Sequence, residues 1–122
     1  MAYELSWYAP DKVLLLALSG DYTLDDAYRV DQLIVDALDQ SPSPLLLVID
    51  ARNMKRPHNF QELRGAQTYM HHDNLRRIIS VADDRIVMLA MIAIFNLGRA
   101  ALMMFNDFHK ANTFLDREVA RI

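Results

Sequence analysis

Asp50, Arg52, Asn53, Lys55 and Arg56 crowd into the stretch LLLVIDARNMKRPHNF, residues 45–60. One acid, one amide and three bases at this spacing suit the binding of a phosphate or of an acidic partner segment. They do not make a catalytic set, because no nucleophile accompanies them. The plain alternative is a solvated connector in which Pro57 is only a stiff turn.

Other residues capable of chemistry are scattered. His58, His71 and His72 are potential metal ligands, but adjacent helical histidines diverge by about 100°, and no two histidines stand four apart. His109 follows Asp107 closely, yet no nucleophile can be assigned to it. The pairs Asp25-Asp26 and Asp83-Asp84 fall at expected helix starts, where carboxylates serve as caps and dipole partners. The chain has three glycines and no cysteine. It carries no phosphate-binding glycine loop, dinucleotide fingerprint, nucleophile elbow, thiolate metal site or disulfide. We therefore expect no enzyme, no cofactor and no bound metal.

The elements that must position these residues follow from patterning. The length of 122 residues suits one domain spanning 1–122, with 52% hydrophobic and 24% charged residues. The formal net charge of −3, spread along the chain, gives no basic face for nucleic acid. The start MAYELSWYAPDK lacks the basic-then-apolar order of a secretory signal, and with the absence of cysteine it suggests a cytoplasmic protein. AYELSWYA and KVLLLALSG read as two strands of a hairpin broken at Pro10-Asp11. Thr23 and Asp26 have capping-box spacing ahead of a helix in which Leu24, Ala27, Tyr28, Leu33 with Val30, Ile34, Ala37 and Leu38 form the apolar side. LLLVID is a strand covered on both faces, with Asp50 at its end.

NFQELRGAQTYMHHD predicts a helix of about four turns with Asn59 as its cap. RRIISVAD predicts another strand. From Ile86 to Phe105 only Asn96 and Arg99 are strongly polar, and the run predicts one long helix starting near Asp83 or Asp84. ANTFL then reads as a last strand and DREVARI as closing helical turns. The resulting order is ββαβαβαβα, an α/β fold with a small mixed sheet of about five strands and helices packed on it.

That order resembles the STAS fold, shared by anti-sigma-factor antagonists and the cytoplasmic tails of sulfate transporters, and most of all the small bacterial SpoIIAA-like proteins. The residues carrying the resemblance are YELSWYAPDKVLLLALSG, LLLVIDA, RRIISVAD and NTFLDREVAR. It implies a regulatory module acting by protein–protein contact. Phosphorylated members keep an Asp-Ser-x-Gly-like sequence after the strand equivalent to LLLVID, and there a phosphate of about −1.5 to −2 charge breaks a partner interface. DARNMKRPHNFQELR has no serine or threonine, so that switch does not transfer.

The run 86–105 asks for a further explanation, since a helix on one face of a sheet needs an apolar stripe and not an apolar circumference. About twenty such residues could cross a bilayer, but Arg99 would be costly there and the run interrupts a regular βα pattern. Membrane contact is therefore conceivable but not expected. Two expectations remain: a homodimer through this helix, or a small apolar or lipidic ligand carried between it and the sheet. Met88, Met91, Ile94, Phe95 and Met103 are the candidate contacts, methionine being suited to adaptable surfaces.

Overall fold

The computed structural model describes residues 2–95 and 101–121. The strands are β1 (Tyr3–Ala9), β2 (Val13–Gly20), β3 (Leu45–Met54), β4 (Leu75–Val81) and β5 (Ala101–Phe105). The helices are α1 (Leu24–Gln40), α2 (Phe60–Gly65), α3 (Arg85–Phe95) and α4 (Phe108–Arg121), with a 3₁₀ turn at Thr68–His71 between α2 and β4. One mixed sheet runs in the order β1-β2-β3-β4-β5. The β1–β2 pair is antiparallel and the pairs from β2 to β5 are parallel.

The sheet separates two apolar cores. One lies between the sheet and α1, α2, the 3₁₀ turn and α3. On the other face, Ala111 and Leu115 of α4 cover Val13, Leu46, Val48, Ile79 and Val81. Leu45 to Ile49 are at most 1% exposed, which is why this strand reads as an unbroken apolar run. In α1, Ala27, Val30, Ile34 and Leu38 form the buried stripe, while Tyr28 and Leu33, expected inside, are exposed. The capping box is present: the Asp26 N–H donates to Thr23 Oγ1 at 3.2 Å, and the Thr23 N–H donates to Asp26 Oδ2 at 3.1 Å.

Four expectations are corrected. First, the helix predicted over 86–105 is a helix and a strand. Helix α3 has Phe95 as its last described residue, and 101–105 pair with β4 as β5. Asn96 and Arg99 lie outside the described residues. Second, ANTFL is helical, because Ala111 and Leu115 recur on the buried side of α4. The strand-and-helix order survives because the last strand moves from 111–115 to 101–105.

Third, the four-turn helix predicted after residue 59 stops at Gly65. Asp31 of α1 intervenes: its Oδ1 accepts the Tyr69 N–H at 2.9 Å and its Oδ2 accepts the Thr68 hydroxyl at 2.6 Å. Tyr69 is thereby drawn into the core, where its hydroxyl donates to the Gln67 side-chain oxygen. Fourth, Asp50 does not end β3, which continues to Met54.

Candidate functional site

The carboxyl end of β3 is shaped by a bulge. Ala17 lies opposite Asp50 and Ser19 opposite Asn53, so β3 carries one extra residue over this interval. Alternation places Ala51 in the α1-side core and turns Asp50 and Arg52 to the α4 side.

There the Arg52 guanidinium meets the Asp50 carboxylate through two parallel bonds, Nε to Oδ1 at 2.9 Å and Nη2 to Oδ2 at 2.8 Å. It also stacks on Phe108, the first residue of α4, 4.4 Å from the ring centroid. The hydrogen bond to Asp50 raises the guanidinium's already high pKa, and the charges of Asp50, Asp83 and Asp107 act in the same direction. Arg52 is therefore a surface cation linking α4 to β3, its fork already occupied by a carboxylate. Beside it, Tyr3, Glu4, Ser19, Asp50 and Asn53 line a shallow cavity of about 450 Å³ on the part of the sheet next to α4.

The other two bases of the stretch are also matched. Arg56 reaches Asp84 at 3.1 Å through Nη2 and 3.2 Å through Nε. Asp84 simultaneously caps α3, its Oδ1 accepting the Ile86 N–H at 2.8 Å and the Val87 N–H at 3.3 Å. The Arg56 hydrogen bond, and after it the Ile86 N–H, hold the Asp84 carboxyl below its usual value. Lys55 faces Asp21 at 3.7 Å with both side chains more than 70% exposed, a contact of little energetic weight.

The expected basic loop is thus a row of acid–base pairs. Pairing across elements, invisible to local charge counting, supplies the missing acids. Asn59 occupies the capping position of α2 without a side-chain cap bond, and α2 is only six residues long. Pro57, His58 and Asn59 face Asp21, Tyr22 and Thr23 across a cavity of about 230 Å³. Among the described residues no group of three histidine, aspartate or glutamate side chains could hold a metal ion.

The second candidate region is α3. Met91 and Ile94 are core residues, 1% and 2% exposed, and Met88 is half-buried against the same core. Phe95 is the last described residue of the helix. Met103 leaves this group altogether: it lies in β5 and packs on the α4 side, where Arg77 Nη1 donates to its sulfur at 3.5 Å. The outward face consists of Ile86, Leu89 and Ile92, at 43%, 64% and 41% exposure. Sequence reading missed these three, because in a continuously apolar run the inward Met88, Met91 and Ile94 have the same three-residue spacing. No described helix is long and apolar enough to cross a membrane.

A mixed five-stranded sheet, with the parallel strands joined through helices and, among the described residues, α4 alone on one face, has a SpoIIAA-like fold. Among the solved structures that match it, one is similar over nearly the whole chain. It is the crystal structure of an uncharacterized DUF3478-family protein with a SpoIIAA-like fold from Shewanella loihica PV-4. The TM-score is 0.62 at 16% sequence identity, with 93% of this chain and 92% of that chain covered. No protein-family model matches the chain, and no curated protein matches it.

Proposed function

We propose that the protein is a non-enzymatic, STAS-type regulatory module that acts by protein–protein contact and self-associates through the outer face of α3. The carrying observation is the row Ile86, Leu89 and Ile92, three large aliphatic side chains on one helix face with 41–64% of their surface in water. Covering the part of each that is still in water contributes about 1 kcal/mol, and a homodimer covers the same patch on both copies. The SpoIIAA-like fold supports a regulatory module of this kind.

Asp84 gives this face a link to the β3–α2 loop, because the same carboxylate caps α3 and holds Arg56. A ligand or partner that takes hold of Arg56 alters the start of the contact helix. The loop can thereby influence α3 without a phosphorylatable hydroxyl. A ligand carried between α3 and the sheet is the weaker reading, because Val87, Ala90, Met91 and Ile94 are packed there at 1–2% exposure and would have to be displaced.

Sedimentation velocity tests the proposal. The wild-type chain is expected to be a dimer at micromolar concentration and Leu89→Glu a folded monomer. A wild-type chain that stays monomeric throughout that range refutes self-association.

A further inference from the structure

We propose that the groove between β1 and α1 binds an extended basic segment of a partner protein, which adds to β1 as a further strand. This surface lies at the opposite edge of the sheet from β5, and so away from α3, which packs on β4 and β5.

Among the described residues strand β1 pairs only with β2, and its other edge presents main-chain N–H and C=O groups without a strand partner there. Edges of this kind are usually guarded by lysine or proline. The strand YELSWYA contains neither, and Glu4 is its only charge. Trp7 lies opposite Leu14 and Ala9 opposite Val13, so Tyr8 is an extra residue. The resulting bulge sends both Tyr8 and Ala9 to the α4 side, where the Tyr8 hydroxyl donates to Asp116 at 2.8 Å. Trp7 stays on the α1 side. The regular stretch available for pairing is Tyr3 to Trp7.

Alongside this edge runs a cavity of about 370 Å³ lined by Trp7, Asp11, Leu33, Asp36, Ala37 and Gln40. Trp7 is 43% and Leu33 45% exposed, which gives the groove two apolar walls open to water. Tryptophan in such a setting is the residue type most often found at the energetic centre of an interface.

The charge of the groove selects the occupant. Its ionisable groups are the carboxylates of Asp11 and Asp36, the latter accepting a hydrogen bond from Gln32 Nε2 at 2.8 Å. Lys12, next to Asp11, turns away, its Nζ donating to the Val119 carbonyl at 3.5 Å. Helix α1 as a whole carries five aspartates and Arg29 as its single basic residue. In an added strand, every second side chain points to the α1 side. A segment with an aliphatic residue at one such position and arginine or lysine at the next fills the Trp7–Leu33 gap and meets Asp36 or Asp11.

Trp7 is the only tryptophan, so intrinsic fluorescence reads the groove directly. The probe is the acetylated heptapeptide amide Thr-Lys-Thr-Val-Thr-Arg-Thr, whose Lys, Val and Arg share one face. Its controls are a twin with Glu in place of Lys and Arg, and two versions N-methylated on alternate amides. The parent peptide is expected to shift Trp7 emission to the blue in a saturable way. The acidic twin should not bind, and Asp36→Lys, an exposed helix change compatible with folding, should weaken binding about tenfold or more. One N-methylation pattern should abolish binding and the other leave it intact, since only one set of amides faces β1. The proposal is overturned by no saturable shift with the parent, by equal binding of the acidic twin or by unchanged binding to Asp36→Lys. It is likewise overturned if both methylated versions bind as the parent does, because side-chain contact without strand addition then suffices.

Discussion

Arg52 and Arg56 stand four residues apart and have different physical roles. Arg52 is committed on two sides, to Asp50 in a bidentate pair and to Phe108 by stacking. A lysine there keeps the charge but loses both the fork and the planar stack. Arg52→Lys is therefore expected to lower stability by about 1 kcal/mol in urea denaturation. Arg56 is more exposed, and its effect depends on the ionisation of Asp84, whose pKa lies below the usual value of 3.8. A depressed carboxylate stabilises the fold fully above its unfolded pKa and ceases to do so as pH falls through the folded one. The difference in Tm between wild type and Arg56→Ala should therefore be present at neutral pH and close in acid below 3.8. A difference that persists in strong acid shows that the ion pair is not its source. The basic residues were legible in the sequence, but their acidic partners at positions 84 and 21 lie too far along the chain for charge patterning to connect them.

At the scale of elements, α3 shows where pattern reading fails. Between Ile86 and Phe105 nearly every residue is apolar, and a run apolar on all sides has neither helical nor strand periodicity to read. Asn96 and Gly98, residue types common at helix ends, were the available local sign of a break. The result changes which substitutions test the interface. Met91 was a candidate contact but is core, so Met91→Ala should cost about 2–5 kcal/mol in a denaturant titration whether or not the chain self-associates. Leu89→Glu should leave denaturant stability of the monomer nearly unchanged and abolish the dimer in sedimentation. If the two variants behave alike, the division of α3 into inner and outer faces is wrong.

For the whole molecule, the two faces of the sheet are unequally covered. Among the described residues one bears three helices and the 3₁₀ turn, the other α4 alone, clamped by Arg52 on Phe108 and by Tyr8 on Asp116. Association through α3 would couple folding to concentration, because a dimer draws the equilibrium away from the unfolded chain. Wild-type Tm should then rise with protein concentration in calorimetry, while that of Leu89→Glu should not. A concentration-independent wild-type Tm counts against the dimer.

The sequence by itself determined the features whose causes are local. The Thr23–Asp26 capping box needs only a spacing of three, the Pro10-Asp11 break only turn chemistry, and Leu45–Ile49 only a run of apolar side chains. The alternation of these elements was enough to indicate the SpoIIAA-like architecture. The tertiary structure decided what depends on distant partners: that β3 runs on through a bulge to Met54, that Asp31 breaks the helix after Gly65, and that residues 101–105 find β4. It also decided which side of α3 meets water. Each of these rests on hydrogen bonding or burial between segments far apart in the chain, and such energies leave no periodic trace within the segment they reshape.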